Sequence, residues 1–170
     1  SYASQGNGSL SHIGTEMFKQ QTQTSMVHIP YRGSGPAVQD VISGQVQVFI
    51  TTPPSVMGQV QVGRLKALAV AAKTRHPAMP NVPTTAEAGL KGFEIEAWIG
   101  IFAPAATPPD VVAKLSSQIK SALELPETRA RADGAGLELR YLPPAALGDL
   151  VTKDTAFWAR TIKSAGIAAD

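Results

Sequence analysis

Apolar and polar positions alternate along the first 72 residues in a rhythm that predicts strands followed by helices. The predicted elements are a helix over 9–23, a strand over 26–29, a helix from Pro36 that ends at Gly44, a strand over 46–50, a helix that ends at Gly63 and a strand over 65–71. Short strands that alternate with helices are typical of a parallel sheet with crossover helices. The predicted fold class is therefore α/β.

Proline-rich sequence interrupts this rhythm after residue 72, because Pro77, Pro80 and Pro83 disfavour regular structure. The elements predicted beyond them are a short helix over 84–88, an extended run over 93–103, helices that begin near Pro108, Pro126 and Pro143, and a strand over 137–142. The helix after Pro108 carries one apolar face, formed by Val111, Val112, Leu115, Ile119 and Leu123. The last helix is predicted to turn inward Leu147, Leu150, Val151, Phe157, Trp158 and Ile162.

A glycine-punctuated polar loop, residues 4–9, precedes the first predicted helix. Gly6 and Gly8 let the backbone turn tightly, and Ser9 is a good helix N-cap. Free backbone N–H groups at the positive end of a helix dipole form a ready-made anion site. The alternative is a capped helix with no ligand, and the glycine patterns of phosphate loops and of dinucleotide-binding sites are absent.

Two further loops, 33–35 and 51–52, also follow predicted strands and are rich in glycine or hydroxyl groups. In open parallel sheets, ligands bind beyond the carboxyl ends of the strands, at helix N-termini. None of the three loops carries a general base, so their donors suit holding an anion better than transforming it. The predicted ligand-binding residues are Ser4, Asn7, Gly8, Ser9, His12, Tyr31, Gly33, Ser34, Thr51 and Thr52.

Several residues near these loops have two interpretations. His12, in the first turn of a helix, could contact a ligand or hydrogen-bond a neighbouring backbone group, and Tyr31 could roof the cleft or pack beneath it. His28 lies within a predicted strand, where a core histidine is the simpler interpretation, and Trp98 is interpreted as a packing residue. Arg32 could attract a carboxylate, although an arginine in a turn is usually solvated.

Composition excludes several classes of function. The 170 residues include no cysteine, which removes thiol catalysis, thiolate metal sites and disulfides. The three histidines lack metal-ligand spacing, and a net charge of +2 without a basic run argues against nucleic-acid binding. Neither a metal nor a cofactor is predicted, and no apolar run approaches the ~18 residues that span a membrane. The chain begins at Ser1 without a signal peptide, which predicts a processed or truncated product.

An ordered set of motifs extends over essentially all 170 residues: SQGNGSLSH at 4–12, HIPYRGSGPA at 28–37, GQVQV at 44–48, LKALAV at 65–70, PNVPTTAEAG at 80–89 and FAPA at 102–105. This set resembles the substrate-binding proteins of tripartite tricarboxylate transporters, the periplasmic binding proteins of the Bordetella uptake gene type. The resemblance corresponds to the C-terminal half of that family. The chain departs from the pattern at Thr51 and Thr52, where many relatives carry an Asp that borders the cleft.

The resemblance implies a two-lobed periplasmic binding protein of type II, which closes around a small carboxylate and delivers it to the membrane subunits of a transporter. Residues 1–72 would form the ligand-binding α/β segment of the second lobe, and 73–103 the boundary loop and crossing strand. Residues 104–170 would form the C-terminal part of the first lobe. The implied protein is periplasmic, and it is not an enzyme.

Two other classes of function stay open at this point. A hydrolase or transferase would need a nucleophile with a nearby base, but Ser4, Ser9 and Ser34 show no nucleophile-elbow pattern and no obvious Asp or His partner. The ligand-sensing effector domain of a transcription regulator shares the two-lobed architecture. Such domains normally follow a helix-turn-helix segment, which this sequence does not contain.

The segment after Lys73 carries apolar helix faces that would normally cover a sheet. Exposed apolar patches and unpaired strand edges favour association. We therefore expect residues 2–71 to keep an α/β sheet, and the later part to rearrange, swap between copies or pair into a homodimer through surfaces exposed by truncation.

Overall fold

Three short parallel strands form the sheet of this protein. The computed structural model describes residues 1–167, so that the last three residues of the predicted segment 104–170 lie outside it. The strands are β1 (Tyr2–Ser4), β2 (His28–Pro30) and β3 (Val48–Phe49), and their order in the sheet is β2-β1-β3. Both pairings are parallel, which confirms the α/β fold class predicted from the sequence.

The central strand, β1, is the element that the sequence pattern did not predict. Tyr2, Ala3 and Ser4 are all fully buried, because β1 has a neighbouring strand on each side. In the register of the sheet, Tyr2 lies opposite His28 and Val48. A strand of three residues is too short to show an alternation of apolar and polar positions, so periodicity could not reveal it.

A helix follows each strand, as predicted. These helices are α1 (Leu10–Thr22), α2 (Ser34–Ile42) and α3 (Pro53–Gln61). Ser9 is the N-cap of α1, and its hydroxyl accepts a hydrogen bond from the backbone N–H of His12. Prolines open α3, where their missing N–H removes no intrahelical bond.

The tightest part of the core lies between the sheet and α2. Ala3, Ala37 and Val46 are buried together there. Partly buried apolar side chains pack around them, namely those of Ile29, Tyr31, Val41 and Phe49. Because Ala3 and Ala37 are small, α2 can lie close against the strands.

Two predicted strands and one predicted helix are wrong. Residues 65–71 contain only an isolated parallel bridge, between Val70 and Thr84. Residues 137–142, the second of these predicted strands, contain no strand in the structure. The extended run predicted over 93–103 is not paired into a sheet either. These apolar runs have no neighbouring strand within residues 1–167, and an apolar run alone does not make a stable strand in water. The helix predicted over 84–88 is a turn, closed by reciprocal hydrogen bonds between Thr84 and Glu87.

Helices dominate the second half of the chain. They are α4 (Pro109–Glu124), α5 (Pro126–Gly134) and α6 (Pro144–Ala165), in agreement with the predicted starts. α6 packs against α1. None of the helices within residues 1–167 is both long enough and apolar enough to cross a bilayer.

The apolar faces of these helices are only partly covered. α4 contains no buried residue, and Val111 and Leu115 are 41% and 48% exposed. Phe157 is 43% exposed, so its predicted inward orientation is wrong. It borders an open groove between α1 and α6, which leaves one side of its ring uncovered.

The part of the chain after Lys73 does not rearrange as expected. It forms its predicted helices within one chain, and the indole N–H of Trp98 donates a hydrogen bond to Asp154 of α6 at 2.5 Å. Ile99 and Ile101, in the same segment as Trp98, are 89% and 69% exposed. The expected apolar surface is therefore present, whereas the homodimer expected from it stays a prediction.

The turn after α5 packs against the beginning of α3. Gly136 has a φ of 70°, and its carbonyl oxygen lies 3.2 Å from Nε2 of His76. A Cβ atom at this position would lie 2.5 Å from Cε of Met57 and 3.2 Å from Cβ of Pro53. The turn therefore leaves no room for a side chain beside the first turn of α3.

Gly136→Ala is expected to lower the free energy of unfolding by about 1–2 kcal/mol, because it combines a left-handed backbone with a collision against α3. Urea unfolding followed by circular dichroism measures this loss. Gly134→Ala is the matched control, since Gly134 ends α5 and a Cβ added there meets no atom within 4 Å. That control should be neutral or stabilising by up to about 1 kcal/mol. Equal losses in the two variants would contradict the packing of this turn on α3.

Candidate functional site

Three loops meet at one edge of the sheet. They comprise residues 5–9, 31–33 and 50–52, and they connect β1 to α1, β2 to α2 and β3 to α3. Because the strands are parallel, their carboxyl ends lie at the same edge. We call these three loops, with the first residues of the helices that follow them, the loop edge.

Hydrogen bonds through Gln5 join the three loops to each other. The side-chain amide of Gln5 donates to the Thr51 hydroxyl at 3.3 Å, and the backbone carbonyl oxygen of Gln5 accepts from the Gly33 N–H at 3.3 Å. The carbonyl oxygen of Ser4 accepts from the Tyr31 N–H at 3.0 Å. The structure thus brings predicted residues of all three loops together. Gln5 was missed by the sequence reasoning, because a linking glutamine has no pattern that separates it from a solvated one.

Hydroxyl groups order the first loop from within. Ser9 Oγ donates to the carbonyl oxygen of Gly6 at 2.6 Å, and Ser11 Oγ accepts from the backbone N–H of Gln5 at 2.8 Å. The two hydroxyl oxygens lie 2.9 Å apart. Ser11 is only 2% exposed, so it supports the loop instead of facing a ligand. Sequence reasoning missed Ser11 as well, although a second hydroxyl two residues after an N-cap serine was an available signal.

Three aromatic rings stack beside this loop. His28 of β2 stacks on Tyr2 of β1 and on His12 of α1, with ring centroids 4.9 Å and 4.0 Å apart. Nε2 of His28 lies 2.6 Å from Ser4 Oγ, and Nδ1 of His12 accepts the backbone N–H of Gly8 at 3.1 Å. We call Tyr2, His12 and His28 the ring cluster. The ring cluster therefore connects the first loop to β1, α1 and β2.

His28 is half-buried beside the loop and is not a core histidine. Burial lowers the pKa of His28, and the neighbouring His12 lowers it further. Both effects disfavour the charged imidazolium. The ring is therefore neutral near pH 7.

One ion pair adjoins the ring cluster. The Tyr2 hydroxyl donates to Oε1 of Glu16, and Nζ of Lys19 lies 2.7 Å from the same oxygen. Burial acting alone would raise the pKa of Glu16, but the hydrogen bonds from Lys19 and Tyr2 outweigh it and lower that pKa. Burial, together with the Glu16 carboxylate, raises the pKa of Tyr2 well above its usual range. The phenol stays protonated and the charges of the pair cancel.

Tyr31 is turned toward α2. Its hydroxyl donates to Oδ2 of Asp40 at 2.7 Å, and this bond raises the pKa of Tyr31. The ring also packs against the core cluster of Ala3, Ala37 and Val46. Of the two interpretations of Tyr31, packing beside the core is the one that these contacts favour.

The remaining predicted residues differ in how far they are accessible. Ser4 is fully buried, so its hydroxyl faces the interior. The others are exposed or partly exposed, namely Asn7, Gly8, Ser9, His12, Gly33, Ser34, Thr51 and Thr52. Thr52 is the N-cap residue of α3, and Ser34 is the first residue of α2. The accessible residues thus lie at the beginnings of three helices.

Ser4 and His28 have the spacing of a nucleophile and its base. The sequence showed no histidine partner for Ser4, and the pairing of β1 with β2 supplies one at 2.6 Å. However, Ser4 Oγ also donates to the carbonyl of Gly6 and accepts its N–H. A hydroxyl with no exposed surface and these three neighbours is suited to ordering the loop, because a nucleophile must reach its substrate.

Two grooves lie elsewhere on the molecule. One of about 850 Å³ is bordered by α1, α6 and residues 92–96, and one of about 640 Å³ by α4, Tyr141 and Pro144. Neither is lined by a predicted site residue. Within residues 1–167, no group of three His, Asp or Glu side chains could hold a metal ion.

The free energy of unfolding is expected to fall between about pH 7.5 and pH 5.5. The pKa of His28 in the folded state lies below its unfolded value of ~6.5, so the unfolded state binds more protons as the pH falls through this window. Glu16, whose folded pKa is also lowered, adds a loss only below about pH 4.5. Urea unfolding at the two pH values measures the difference. His28→Gln does not titrate, and an undiminished pH dependence in that variant would rule out this origin.

Comparison with known proteins assigns the chain to a family. The family model described as "Tripartite tricarboxylate transporter family receptor" matches residues 1–167. The periplasmic binding protein BugD is 33% identical, with a TM-score of 0.91 over 99% of this chain and 57% of its own. The R. palustris protein Rpa4515, solved with adipate, is 31% identical, with a TM-score of 0.93 over 98% of this chain and 56% of its own.

A third structure is MatC (Rpa3494) from Rhodopseudomonas palustris with bound malate. It is 34% identical, with a TM-score of 0.87 over 95% of this chain and 56% of its own. BugD is described as a periplasmic binding protein, and the matched family is one of transporter receptors. The chain spans about half the length of the curated relatives it matches. It belongs to the family of tripartite tricarboxylate transporter receptors.

Proposed function

We propose that this chain is the ligand-binding part of an extracytoplasmic solute-binding protein, and that its loop edge holds a small carboxylate. The observation that carries the proposal is the meeting of three helix N-termini at one edge of a parallel sheet. The similar structures that carry adipate and malate support a carboxylate as the ligand class.

Neutral donors would supply the affinity. A helix N-terminus stabilises a nearby anion by about 0.3–1 kcal/mol at an exposed site. A hydrogen bond to a charged acceptor contributes about 1.5–3 kcal/mol net. Only four charged side chains precede Arg64, namely Glu16, Lys19, Arg32 and Asp40. The first two form an ion pair, Asp40 is bonded to Tyr31 and Arg32 is exposed in the second loop, so neutral donors, together with Arg32, would hold the carboxylate.

The predicted residues divide into two groups in this proposal. The contact group comprises Asn7, Ser34, Thr51 and Thr52. Thr51 is the clearest case, because its hydroxyl oxygen accepts from Gln5 and its own hydrogen is left to donate. The supporting group holds the loops in place through hydrogen bonds to other residues of the protein, and it comprises Ser4, Gly8, Ser9, His12, Tyr31 and Gly33.

The division of the chain into segments is also part of the proposal. Residues 1–72 carry all three strands and the whole loop edge, which supports a separate ligand-binding segment. Residues 73–103 would be the connection to the other lobe, and 104–170 part of that lobe. The homodimer stays a further proposal, supported only by the exposed apolar side chains such as Ile99.

We propose, finally, that the ligand is delivered from the periplasm to the membrane subunits of a transporter. The description of the family as a transporter receptor supports delivery, and the periplasmic binding protein BugD supports the compartment. The alternative, a ligand-sensing domain of a transcription regulator, is favoured by no observation on this chain.

Thr51→Val is expected to weaken adipate binding about tenfold to a hundredfold, because it removes one hydroxyl donor to a charged acceptor without changing the shape of the side chain. Isothermal titration calorimetry measures the affinity. Thr155→Val is the matched control, since Thr155 is exposed on α6 and its hydroxyl donates to Val151. Unchanged affinity in the Thr51 variant, or an equal loss in both, would contradict contact through the third loop.

The chain is expected to return its ligand chemically unchanged, because Nδ1 of His12, the accessible imidazole of the loop edge, already accepts the Gly8 N–H and is not available as a general base. Adipate and malate are incubated with the chain and analysed by mass spectrometry. Ser4→Ala serves as the control, since Ser4 is the hydroxyl with a histidine partner. A product that forms with the chain and disappears with Ser4→Ala would show that the function is catalytic.

A further inference from the structure

We infer that His12 and His28 are positioning residues for the first loop, and that His12 makes carboxylate binding weaker as the pH falls. This inference rests on the proposed function, which it deepens. It gives His12 a role through Gly8 in place of a direct contact with the ligand.

The bond between Gly8 and His12 fixes the protonation of the imidazole. A backbone N–H can only donate, so Nδ1 of His12 is the acceptor and carries no proton in this arrangement. The hydrogen of the neutral ring is then on Nε2. Protonation would place an N–H on Nδ1, directed at the N–H of Gly8. The hydrogen bond from Gly8 to His12 would be lost, and the first loop would therefore be less ordered.

His28 keeps the His12 ring in place. The two rings are nearly parallel, at an interplanar angle of 12°, with centroids 4.0 Å apart. His28 is itself held by Ser4 at 2.6 Å. A serine hydroxyl can donate or accept, so this second bond survives protonation of His28. The bond between Gly8 and His12 does not survive protonation of His12, which makes it the proton-sensitive bond.

The groups that face the two imidazoles are Tyr2 of β1 and Glu16 and Lys19 of α1. The carboxylate of Glu16 favours a charged His28, while Lys19 and His12 oppose it. Glu16 is already occupied by the Tyr2 hydroxyl and by Lys19. Charging both histidines would bring two cations to 4.0 Å, so at most one of the two rings is charged, and the bond from the Gly8 N–H keeps Nδ1 of His12 without a proton.

The sign of the pH dependence separates a positioning role from a contact role. If a ligand carboxylate touched His12, its negative charge would favour the imidazolium, and binding would strengthen as the pH falls. If His12 positions Gly8, protonation disorders the loop, and binding weakens as the pH falls. The two roles therefore predict opposite slopes.

The first test needs no ligand. The ¹⁵N-labelled chain is titrated from about pH 7.5 to pH 5.5, and the Gly8 amide is followed by NMR together with the His12 ring nitrogens. We expect the Gly8 amide shift and its exchange with water to change with the midpoint of His12. In His12→Asn, whose Oδ1 can replace Nδ1 as acceptor, the Gly8 amide should not titrate. If the chemical shift of the Gly8 amide and its exchange with water do not change when His12 is protonated, the inference is wrong.

The second test uses adipate and malate in calorimetry at the same two pH values. We expect the affinity of the unmodified chain to fall about two- to tenfold at the lower pH, which corresponds to one neutral hydrogen bond. His12→Asn should bind with pH-independent affinity. His12→Gln, whose amide extends too far to accept from Gly8, should bind weakly at both values. Affinity that rises at low pH and falls in His12→Asn would overturn the inference. If neither ligand binds at either pH, the proposed function fails for these ligands, and the Gly8 titration still decides the role of His12.

Discussion

The burial of β1 between two parallel strands is the constraint on which the loop edge depends. Its three residues are fully buried, so the strand has no freedom to shift within the sheet. Parallel neighbours end at the same edge as β1, which brings the turns after β2 and β3 beside the loop after Ser4. Gln5, directly after the strand, then bonds to both of those turns. A site assembled from three separate loops thus depends on one strand of three residues.

The sequence predicted the helices well, because their ends carry chemical signals. Ser9 caps α1, and prolines begin α3, α4, α5 and α6. Strands were predicted less well, since a strand needs a partner that the local sequence does not show. Residues 65–71 have the composition of a strand and form only one bridge, whereas Tyr2–Ser4 show no pattern and form the centre of the sheet.

The loops of the candidate site were predictable as loops, and the roles of single residues within them were not. Glycine and hydroxyl composition indicated where the chain would turn and offer donors. The role of His28 arises from contacts with Ser4 and His12, which no local pattern encodes. Strand register is what brings His28 beside Ser4, and register follows from tertiary pairing.

Order in the first loop matters more here than it would in a site built on charge. Each neutral hydrogen bond contributes only about 0.5–1.5 kcal/mol net, and ordering a flexible residue on binding costs a similar amount of about 1–2 kcal/mol. A loop that became ordered only with its ligand would therefore lose most of the energy that its donors supply. The buried hydroxyl of Ser11, the N-cap of Ser9 and the ring cluster fix the loop beforehand, so the donors can act in full on the ligand. In the proposed site, polar residues that do not touch the carboxylate would then be as necessary as those that do.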